Sequence, residues 1–397
     1  MNTLASDHHA DDTTSRAARP LKIGIEAQRV YRKHKHGMDI VALELIRHLQ
    51  KVDRYNQYFI FVKPDEDPCL EEQDNFKIVE VKGKTYLDWE QINLPKAIKK
   101  TGIELMHFTS NTASISCPVP TVITLHDVIF LEKRKAKGTM YQKLGHVYRR
   151  WNVPKVVKKS AKIVTVSNYE KGQILNQLPH IADKTVVAHN GVASKFQVLP
   201  ANPDQPLHPK VTPKAFIFYL GNQAPKKNMQ NVLRGYAQYV QQNDSPLPLV
   251  VAETNESQLE DWLTSLNLMH IKPHIILAGY IPNTQIAHWY SQAKVFLYPS
   301  LRESFGLPIL EAMACGTPVI TSDTSAMPEV ANECGLLVDP HQPDEIAQSL
   351  TKITQDADLA ASLTKAGLEN VKNFTWEAHA QKALAIYQEI LQAQTKP

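Results

Sequence analysis

Short apolar stretches alternate with longer segments of helical periodicity along most of the chain. Residues 57–62 and 121–125 are rich in Val, Ile and Phe, which favours buried strands, whereas 40–49 and 229–240 repeat apolar residues every three or four positions. Strands that alternate with helices are typical of βαβ units around a parallel sheet. The alternation stops before residue 215 and then restarts. The pattern therefore predicts two α/β domains, each with a doubly wound parallel sheet.

Composition suggests the limits of these domains. Residues 1–20 are polar and lack the apolar segment of a signal peptide, so we expect a disordered tail. The first domain is predicted over 21–198 and the second over 215–375, with a proline-rich linker at 199–214. A final helix is predicted over 376–397. No apolar run reaches the roughly 18 residues needed to cross a bilayer, and the four scattered cysteines fit a reducing compartment.

The most specific chemistry lies between residues 294 and 320. A short apolar strand precedes a polar loop that carries Glu303, and a helix begins near Pro308, with Glu311 one turn into it. Gly306 lies just ahead of that helix, where free N–H groups and the helix dipole favour an anion. Open α/β sheets bind ligands at the carboxyl ends of their strands. A carboxylate there can accept hydrogen bonds from two sugar hydroxyls, so this stretch predicts a bound sugar nucleotide.

The residues between Glu303 and Glu311 read SFGLPIL, and ACGTPV follows at 314–319. This filled motif resembles the signature of retaining glycosyltransferases of family 4, which have the GT-B fold. Over residues 21–391, the resemblance implies two Rossmann-like domains facing a central cleft, with the C-terminal helix crossing back to the first domain. In such a site Glu311 is expected to hold ribose hydroxyls and Glu303 hexose hydroxyls. The donor-binding residues implied in this motif are Glu303, Ser304, Phe305, Gly306, Leu307 and Glu311.

A second group of candidate donor residues follows the first predicted strand of the second domain. Lys226 and Lys227 stand after Gly221 and directly before a helix, a position suited to a diphosphate. The family usually has Gly-Arg here, so Asn222 departs from its pattern while Lys227 keeps it. We expect Gly221, Lys226 and Lys227 to bind the donor, and we place Asn222 beside them with its role open. The alternative is a pair of exposed lysines at a helix start.

Three further positions complete the predicted site. His126 ends a strand at the mouth of the first sheet and resembles the active-site histidine of the family, although a structural histidine is the alternative. Tyr280 and Ile281 lie in a loop that the resemblance places against the nucleobase. Gly37 lies in a basic loop after the first strand, which the resemblance assigns to the donor phosphate; a plain surface loop is the alternative. The Gly-x-Gly-x-x-Gly fingerprint of dinucleotide binding is absent from the sequence.

Residues 133–162 contain eleven Lys or Arg residues and no Asp or Glu, with aromatic and apolar residues at helical intervals. A basic amphipathic helix of this kind predicts binding to an anionic membrane surface. A solvated basic face around a core-facing stripe is the alternative. Nucleic acid is not expected, because no nucleic-acid-binding module accompanies the charge. We therefore expect a cytoplasmic protein that binds peripherally to the inner face of a membrane.

The predicted reaction moves a hexose of the mannose or glucose type from a GDP- or UDP-linked donor to a glycan or lipid-linked acceptor. The resemblance implies retention of anomeric configuration and a role in polysaccharide or cell-envelope biosynthesis. Catalytic roles fall to His126, Glu303 and Lys227. No cofactor besides the nucleotide-sugar substrate and no metal is expected. The alternatives are a nucleotide-sugar epimerase or hydrolase of the same fold, and a sugar-nucleotide-binding protein without catalytic activity.

Overall fold

The computed structural model describes residues 19–132, 140–201, 207–221 and 224–395. Nearly all of the predicted tail, part of the predicted linker, the start of the basic segment and Asn222 therefore lie outside the described residues. The described chain forms two α/β domains, each with an all-parallel sheet. This confirms the predicted fold class.

The first domain is built on a seven-stranded sheet with the order β3-β2-β1-β4-β5-β6-β7. Its strands are β1 (Lys22–Ala27), β2 (Gln57–Val62), β3 (Phe76–Glu80), β4 (Leu105–Phe108), β5 (Thr121–Thr124), β6 (Lys162–Thr165) and β7 (Thr185–Val187). The interior strand β1 pairs in parallel with β2 and β4, and all but its first residue are buried. Strands covered by helices on both faces read as continuous apolar runs, which is why the sequence pattern located them.

The second domain repeats this order with six strands, as β10-β9-β8-β11-β12-β13. Its strands are β8 (Ile217–Leu220), β9 (Leu249–Ala252), β10 (Ile275–Gly279), β11 (Val295–Tyr298), β12 (Val319–Ser322) and β13 (Leu336–Val338). In both sheets the strand order reverses beside the first strand of the domain. Ligands of doubly wound folds bind at that reversal, outside the carboxyl ends of the strands.

Helices cover both faces of the two sheets. They are α1 (Gly37–Val52), α2 (Tyr86–Asp88), α3 (Leu94–Thr101), α4 (Met140–Lys159), α5 (Asn168–Gln177), α6 (Met229–Gln242), α7 (Glu256–Leu266), α8 (Ile286–Gln292), α9 (Leu307–Ala314), α10 (Met327–Ala331), α11 (Pro343–Gln355), α12 (Ala357–Asn370) and α13 (Trp376–Thr395). A π-helical turn, Trp89–Asn93, joins α2 to α3. None of the helices in the described ranges is both long and apolar enough to cross a membrane.

The last helix packs against the first domain. Ala380, Ile386 and Tyr387 of α13 are buried in the same apolar cluster as β1 and α1. The Tyr387 hydroxyl also lies 2.6 Å from Nδ1 of His107, a buried residue of β4. The chain therefore crosses from the second domain back to the first, and α13 contributes to the first domain's core.

The start of α1 differs from its prediction. We expected Gly37 in a loop before a helix over 40–49, whereas the helix begins at Gly37 itself. The side chain of Asp39 accepts a hydrogen bond from the backbone N–H of His36 at 3.0 Å and so caps the first turn. Gly37 is thus a helix-start residue, and any ligand it meets would lie at the N-terminus of α1.

Candidate functional site

Two lysines and one glutamate meet across the middle of the second sheet. Lys226 and Lys227 follow β8, and Glu303 follows β11, its neighbour across the reversal of strand order. The Glu303 carboxylate accepts hydrogen bonds from Nζ of Lys226 at 3.0 Å and from Nζ of Lys227 at 2.9 Å. The Tyr298 hydroxyl donates to the same carboxylate at 2.9 Å and lies 2.6 Å from Nζ of Lys227. The fold thus brings together three residues that the sequence assigned to one site.

The charges in this cluster leave an excess of positive charge. Burial opposes ionisation of Glu303, but the two lysines outweigh it and hold the pKa of Glu303 below its ordinary value. Burial and the neighbouring Glu303 raise the pKa of Tyr298, so it remains a neutral donor. The side chain of Lys226 is 48% exposed and that of Lys227 only 13% exposed. Two cations against one carboxylate, with one cation facing solvent, favour an anionic ligand.

Local packing fixes the loop in front of these lysines. A Cβ atom at Gly221 would lie 2.2 Å from the Tyr219 ring, so the ring leaves no room for a side chain there. The Tyr219 hydroxyl in turn donates to the carbonyl of Lys227 at 2.6 Å. Gly221 therefore leaves room for the Tyr219 ring, and the Tyr219 hydroxyl binds the backbone of the lysine segment. Asn222 lies outside the described residues.

The loop after Glu303 leads into α9. Gly306 has φ of 104°, a left-handed conformation that side chains resist, and Leu307 is the first residue of the helix. Phe305 is buried, with its ring 6.0 Å from that of His189 in the first domain. The carbonyl of Ser304 accepts a hydrogen bond from Oγ of Ser167 at 2.6 Å. The side chain of Phe305 and the carbonyl of Ser304 thus contact the other domain.

Glu311 lies in the second turn of α9. Burial raises its pKa to about 7, against the opposing charges of Lys195 and Lys227. The Tyr290 hydroxyl donates to its carboxyl group at 3.2 Å. Lys195, which the sequence analysis did not single out, also donates to the side-chain oxygen of Asn283 at 2.7 Å. A buried carboxyl group influenced by nearby lysine charges is suited to hydroxyl groups of a ligand.

A pocket of about 670 Å³ adjoins the lysine segment. Its lining comprises Ala224, Glu253, Thr254, Asn255, Gln258, Gly279 and Tyr280. Thr254 is buried, and its hydroxyl has no hydrogen-bond partner among the described residues. The two residues of the loop predicted to lie against the nucleobase differ in their exposure. Tyr280 is 66% exposed at the pocket, whereas Ile281 is buried in the apolar core of the domain. The pocket is large enough for a nucleobase, and the unpartnered Thr254 hydroxyl is buried in its wall.

His126 lies two residues beyond the end of β5 and is buried. Its ring Nε2 lies 2.9 Å from the carbonyl of Thr109, and its backbone N–H donates to Oδ1 of Asn111 at 2.7 Å. A carbonyl only accepts, so Nε2 carries the proton. Because burial also lowers the pKa of His126, the neutral ring keeps Nδ1 as a hydrogen-bond acceptor. Such a ring can accept a hydrogen bond from a sugar hydroxyl.

The first domain meets the pocket through the loop before α1. His34 places its ring edge-on to Tyr280, with 6.2 Å between the ring centroids. A Cβ atom at Gly37 would meet no described atom within 4 Å. There is therefore open space beside Gly37 in the first turn of α1, close to the His34 loop that contacts the pocket. The structure gives Gly37 no direct link to the lysine cluster.

Sequence reasoning missed a buried acidic network behind His126. Oε2 of Glu26 accepts from the hydroxyls of Thr109 and Ser110, each at 3.1 Å. Glu90 accepts from the hydroxyl of Thr112 at 2.6 Å and from that of Tyr148, and burial raises its pKa. Isolated glutamates in helices and strands carry no sequence signal of this kind. Within the described ranges, no group of three His, Cys, Asp or Glu side chains could hold a metal ion.

Comparison with protein families assigns both domains. The family described as "Glycosyltransferase Family 4" matches residues 36–196, and that described as "Glycosyl transferases group 1" matches residues 203–370. Among curated relatives, O-antigen chain mannosyltransferase B of Escherichia coli is 30% identical over 234 residues, covering 57% of this chain and 61% of that protein. The serotype-specific mannosyltransferase WbdA of Escherichia coli is 26% identical over 298 residues, 72% of this chain and 36% of that protein. The chain thus spans less than two thirds of these relatives.

Several solved structures have a similar fold. Sucrose-phosphate synthase from Thermosynechococcus elongatus superposes with a TM-score of 0.71 at 19% identity, over 94% of this chain and 100% of that chain. WaaG, a glycosyltransferase involved in lipopolysaccharide biosynthesis, gives 0.68 at 14% identity, over 92% and 99%. HepE of Anabaena, solved with UDP and glucose, gives 0.65 at 14% identity, over 93% and 100%. At these identities the likeness establishes the shared two-domain fold.

Proposed function

Because the chain belongs to the family 4 glycosyltransferases, with a group 1 domain in its C-terminal half, we propose that it transfers a hexose from a nucleoside diphosphate sugar to a hydroxyl group of a glycan or lipid-linked acceptor. The observation that carries this proposal is the cluster of Lys226, Lys227 and Glu303 at the strand ends of the second domain. It combines net positive charge for a diphosphate with a carboxylate for sugar hydroxyls.

In this proposal the lysines stabilise the leaving group. The bond between the anomeric carbon and the diphosphate oxygen breaks, and negative charge develops on the departing phosphate beside Lys226 and Lys227. Preorganised cations aimed at developing charge lower the barrier without reorganising during the reaction. The N-terminus of α9, behind Gly306, adds backbone N–H groups on the other side.

The sugar and the ribose are assigned to the two glutamates. Glu303, held ionised by the lysines, accepts hydrogen bonds from the hexose, and Glu311 accepts them from the ribose. His126, neutral and with Nδ1 as an acceptor, orients a hexose hydroxyl from the first domain. The acceptor hydroxyl attacks the anomeric carbon on the face that the diphosphate leaves, and its proton passes to the departing phosphate oxygen. This course retains anomeric configuration and needs no nucleophilic carboxylate.

The nucleobase is assigned to the pocket lined by Thr254, Gly279 and Tyr280. Its polar side chains, including Glu253 and Asn255, offer acceptors and donors to either guanine or uracil. Mannose is the first sugar to test, because mannosyltransferases are among the curated relatives. The donor panel therefore begins with GDP-mannose and continues with UDP-glucose and UDP-galactose.

Association with a membrane is the second part of the proposal. Three apolar side chains of α4, Leu144, Val147 and Trp151, are 64%, 63% and 48% exposed. They recur at intervals of three and four residues on a helix that also carries exposed basic residues, and Nζ of Lys155 lies 3.9 Å from the centre of the Trp151 ring. Apolar groups flanked by cations suit the interface of an anionic bilayer. Residues 133–139 of the basic segment lie outside the described residues.

The function is tested by incubating the purified chain with each donor and a mannose-terminated oligosaccharide acceptor. We expect transfer from one donor and an anomeric signal, by NMR, that matches the configuration of the donor. Inversion would overturn the retaining course. Release of nucleoside diphosphate at the same rate with and without acceptor would favour the hydrolase, and binding of donor without turnover would favour the non-catalytic alternative.

A further inference from the structure

The first domain contacts the loop that carries Glu303, through the residue before Glu303 and the residue after it. Arg302, one residue before Glu303, forms an ion pair with Glu132 through Nη1, and its Nη2 lies 3.9 Å from Oε1 of Glu170. Ser304, one residue after Glu303, accepts the hydrogen bond from Ser167 described above. Both sequence neighbours of the key carboxylate therefore contact the other domain.

A second contact between the domains lies at Glu329 of α10. Its Oε1 accepts hydrogen bonds from the backbone N–H of Asn168 at 2.9 Å and from Nε2 of His189 at 2.7 Å. Its Oε2 accepts from the N–H of Tyr169 at 3.1 Å. Glu329 thus caps the N-terminus of α5 in the other domain, a site that favours a carboxylate. Burial opposes its ionisation, but His189 and these N–H groups hold the pKa of Glu329 below its ordinary value.

The two contacts share the same short segment of the first domain. Residues 167–170 form the first turn of α5 and its cap, and they meet Arg302, Ser304 and Glu329. We call this set the interdomain clamp, consisting of Glu132, Ser167, Asn168, Tyr169, Glu170 and His189 on one side and Arg302, Ser304 and Glu329 on the other. Within the second domain itself, the Glu303 backbone is bound by Ser325, whose Oγ donates to its carbonyl at 2.6 Å and accepts from its N–H at 3.0 Å.

We propose that Arg302 and Glu329 are positioning residues, which hold the Glu303 loop against the first domain and so set the place of the Glu303 carboxylate relative to the sugar. This inference rests on the proposed function, since it concerns the same loop. It assigns a role to two residues that do not contact the lysine cluster. A loop held by Ser325 alone would keep Glu303 near the lysines but would lose its fixed relation to His126 across the cleft.

If the interdomain clamp positions Glu303, breaking the clamp should lower turnover much more than it weakens donor binding. Apart from Gly37, the groups assigned to the diphosphate and the nucleobase belong to the second domain, so Arg302→Ala should change the dissociation constant for nucleoside diphosphate less than about threefold. Displacement of a reacting group by about 1 Å costs on the order of 10²-fold in rate. We therefore expect kcat to fall roughly 10- to 100-fold in Arg302→Ala, with recovery of at least half of that loss on a logarithmic scale in Arg302→Lys.

The experiment compares Arg302→Ala, Arg302→Lys, Glu132→Gln and Glu329→Gln with Arg234→Ala, a matched change at an exposed arginine of α6. Loss of Arg302 leaves Glu170 without that cation, but burial and the nearby Asp127 already raise the pKa of Glu170 to about 7, so it can take up a proton and the fold is expected to survive. Three readouts are measured, namely kcat, nucleotide affinity by calorimetry, and the radius of gyration by small-angle X-ray scattering.

The proposal is supported by lower kcat, unchanged nucleotide affinity and a larger radius of gyration in Arg302→Ala and Glu329→Gln, with Arg234→Ala like the unchanged protein. A further variant combines Arg302→Ala with Glu132→Gln, and an effect smaller than the sum of the two single effects would place both residues in one interaction. Turnover within twofold of the parent in both clamp variants would overturn it, even if their melting temperatures fell. If the unchanged protein transfers no sugar, the proposed function fails, and an unchanged radius of gyration would then separately reject the clamp.

Discussion

The two domains have the same strand order up to the sixth strand but carry different chemistry at their strand ends. In the second domain the residues after β8 and β11 form a cluster with net positive charge, and one of its lysines is about half exposed. In the first domain the corresponding edge holds neutral His126 and the buried carboxyls of Glu26 and Glu90, each already bonded to neighbouring hydroxyls.

This difference suggests that two domains of the same architecture have different roles in one reaction. Unsatisfied positive charge attracts an anionic ligand, whereas a closed hydrogen-bond network mainly fixes the shape and orientation of its own side chains. The second domain is therefore suited to bind the donor diphosphate, and the first to position hydroxyl groups that come to it. Four predictions test this division, from the largest expected effect to the smallest.

The largest effect is expected from Lys227→Met, which removes the more buried of the two cations. Loss of one electrostatic group that stabilises developing charge should lower kcat/KM roughly 10²- to 10³-fold. The readout is initial-rate kinetics with the preferred donor. Lys352→Met, at an exposed position of α11, serves as the matched control.

Because Lys226 still pairs with Glu303, we expect Lys227→Met to remain folded, which circular dichroism checks. Activity within threefold of the parent protein would show that the cluster is an ordinary ion pair and would remove the main difference between the domains.

A smaller loss is expected from His126→Ala in the first domain. The ring is assigned to orient a hexose hydroxyl, so its removal should lower kcat by about 10- to 100-fold while nucleoside diphosphate binds as before. Kinetics and calorimetry on the same preparation measure both quantities. His180→Ala, at an exposed position, is the control. A weaker affinity for nucleotide with unchanged kcat would assign His126 to the donor side instead.

The pH dependence of stability tests the environment of Glu311. Its carboxyl group has a pKa of about 7 in the folded protein against 4.5 ordinarily, so between these values the folded state holds a proton that the unfolded chain releases. This contribution to stability is present below pH 4.5 and is lost as the pH rises through 7. Glu311→Gln removes it, so the variant should gain roughly 1–3 kcal/mol over the parent between pH 5 and pH 8.

Denaturant unfolding at several pH values measures this difference. The raised pKa of Glu170 affects both proteins alike and cancels. Glu377→Gln, at an exposed glutamate, should show no such gain. A constant offset between Glu311→Gln and the parent across this range would show that Glu311 is ionised throughout.

The smallest effect concerns the exposed face of α4. Replacing Leu144 and Trp151 by Ser should weaken binding to vesicles of anionic lipid by about three- to tenfold, because the basic residues remain. Co-sedimentation with vesicles measures it, and salt should weaken binding of the parent protein. Met269→Ser, an exposed apolar residue of the second domain, is the control. Equal binding to neutral and anionic vesicles would reject the proposal that α4 binds an anionic membrane surface.

The sequence predicts well what is determined locally. Buried parallel strands have apolar runs, so their positions were found within a few residues, and the sequence placed Glu303 and the lysine pair at one site, where the fold brings them together. What it missed depends on residues far apart in the chain. Arg302 and Glu132 are 170 residues apart, and His189 and Glu329 are 140 residues apart, so their pairing follows only from how the two domains meet.

Individual residues show the same limit of prediction from the sequence. The sequence assigned only backbone groups of Phe305 and of the loop at Ile281 to the donor, and it did not predict their side chains: the Phe305 ring lies against His189 of the other domain, and Ile281 is in the apolar core. In both cases the motif located the backbone segment, while the packing of neighbouring elements decided where the side chain lies. Gly37 was placed in a loop because the segment around it is polar and basic and the apolar helical periodicity starts only at Ile40, but the cap formed by Asp39 begins the helix at Gly37.

The most direct test of the central claim is calorimetric titration of the full chain with GDP and with UDP. We expect one of them to bind the parent protein and His126→Ala with affinities within about twofold, whereas Lys226→Met combined with Lys227→Met weakens binding at least tenfold, the equivalent of about 1.4 kcal/mol. Equal affinity in the double lysine variant and the parent would contradict the claim that the strand ends of the second domain hold the diphosphate.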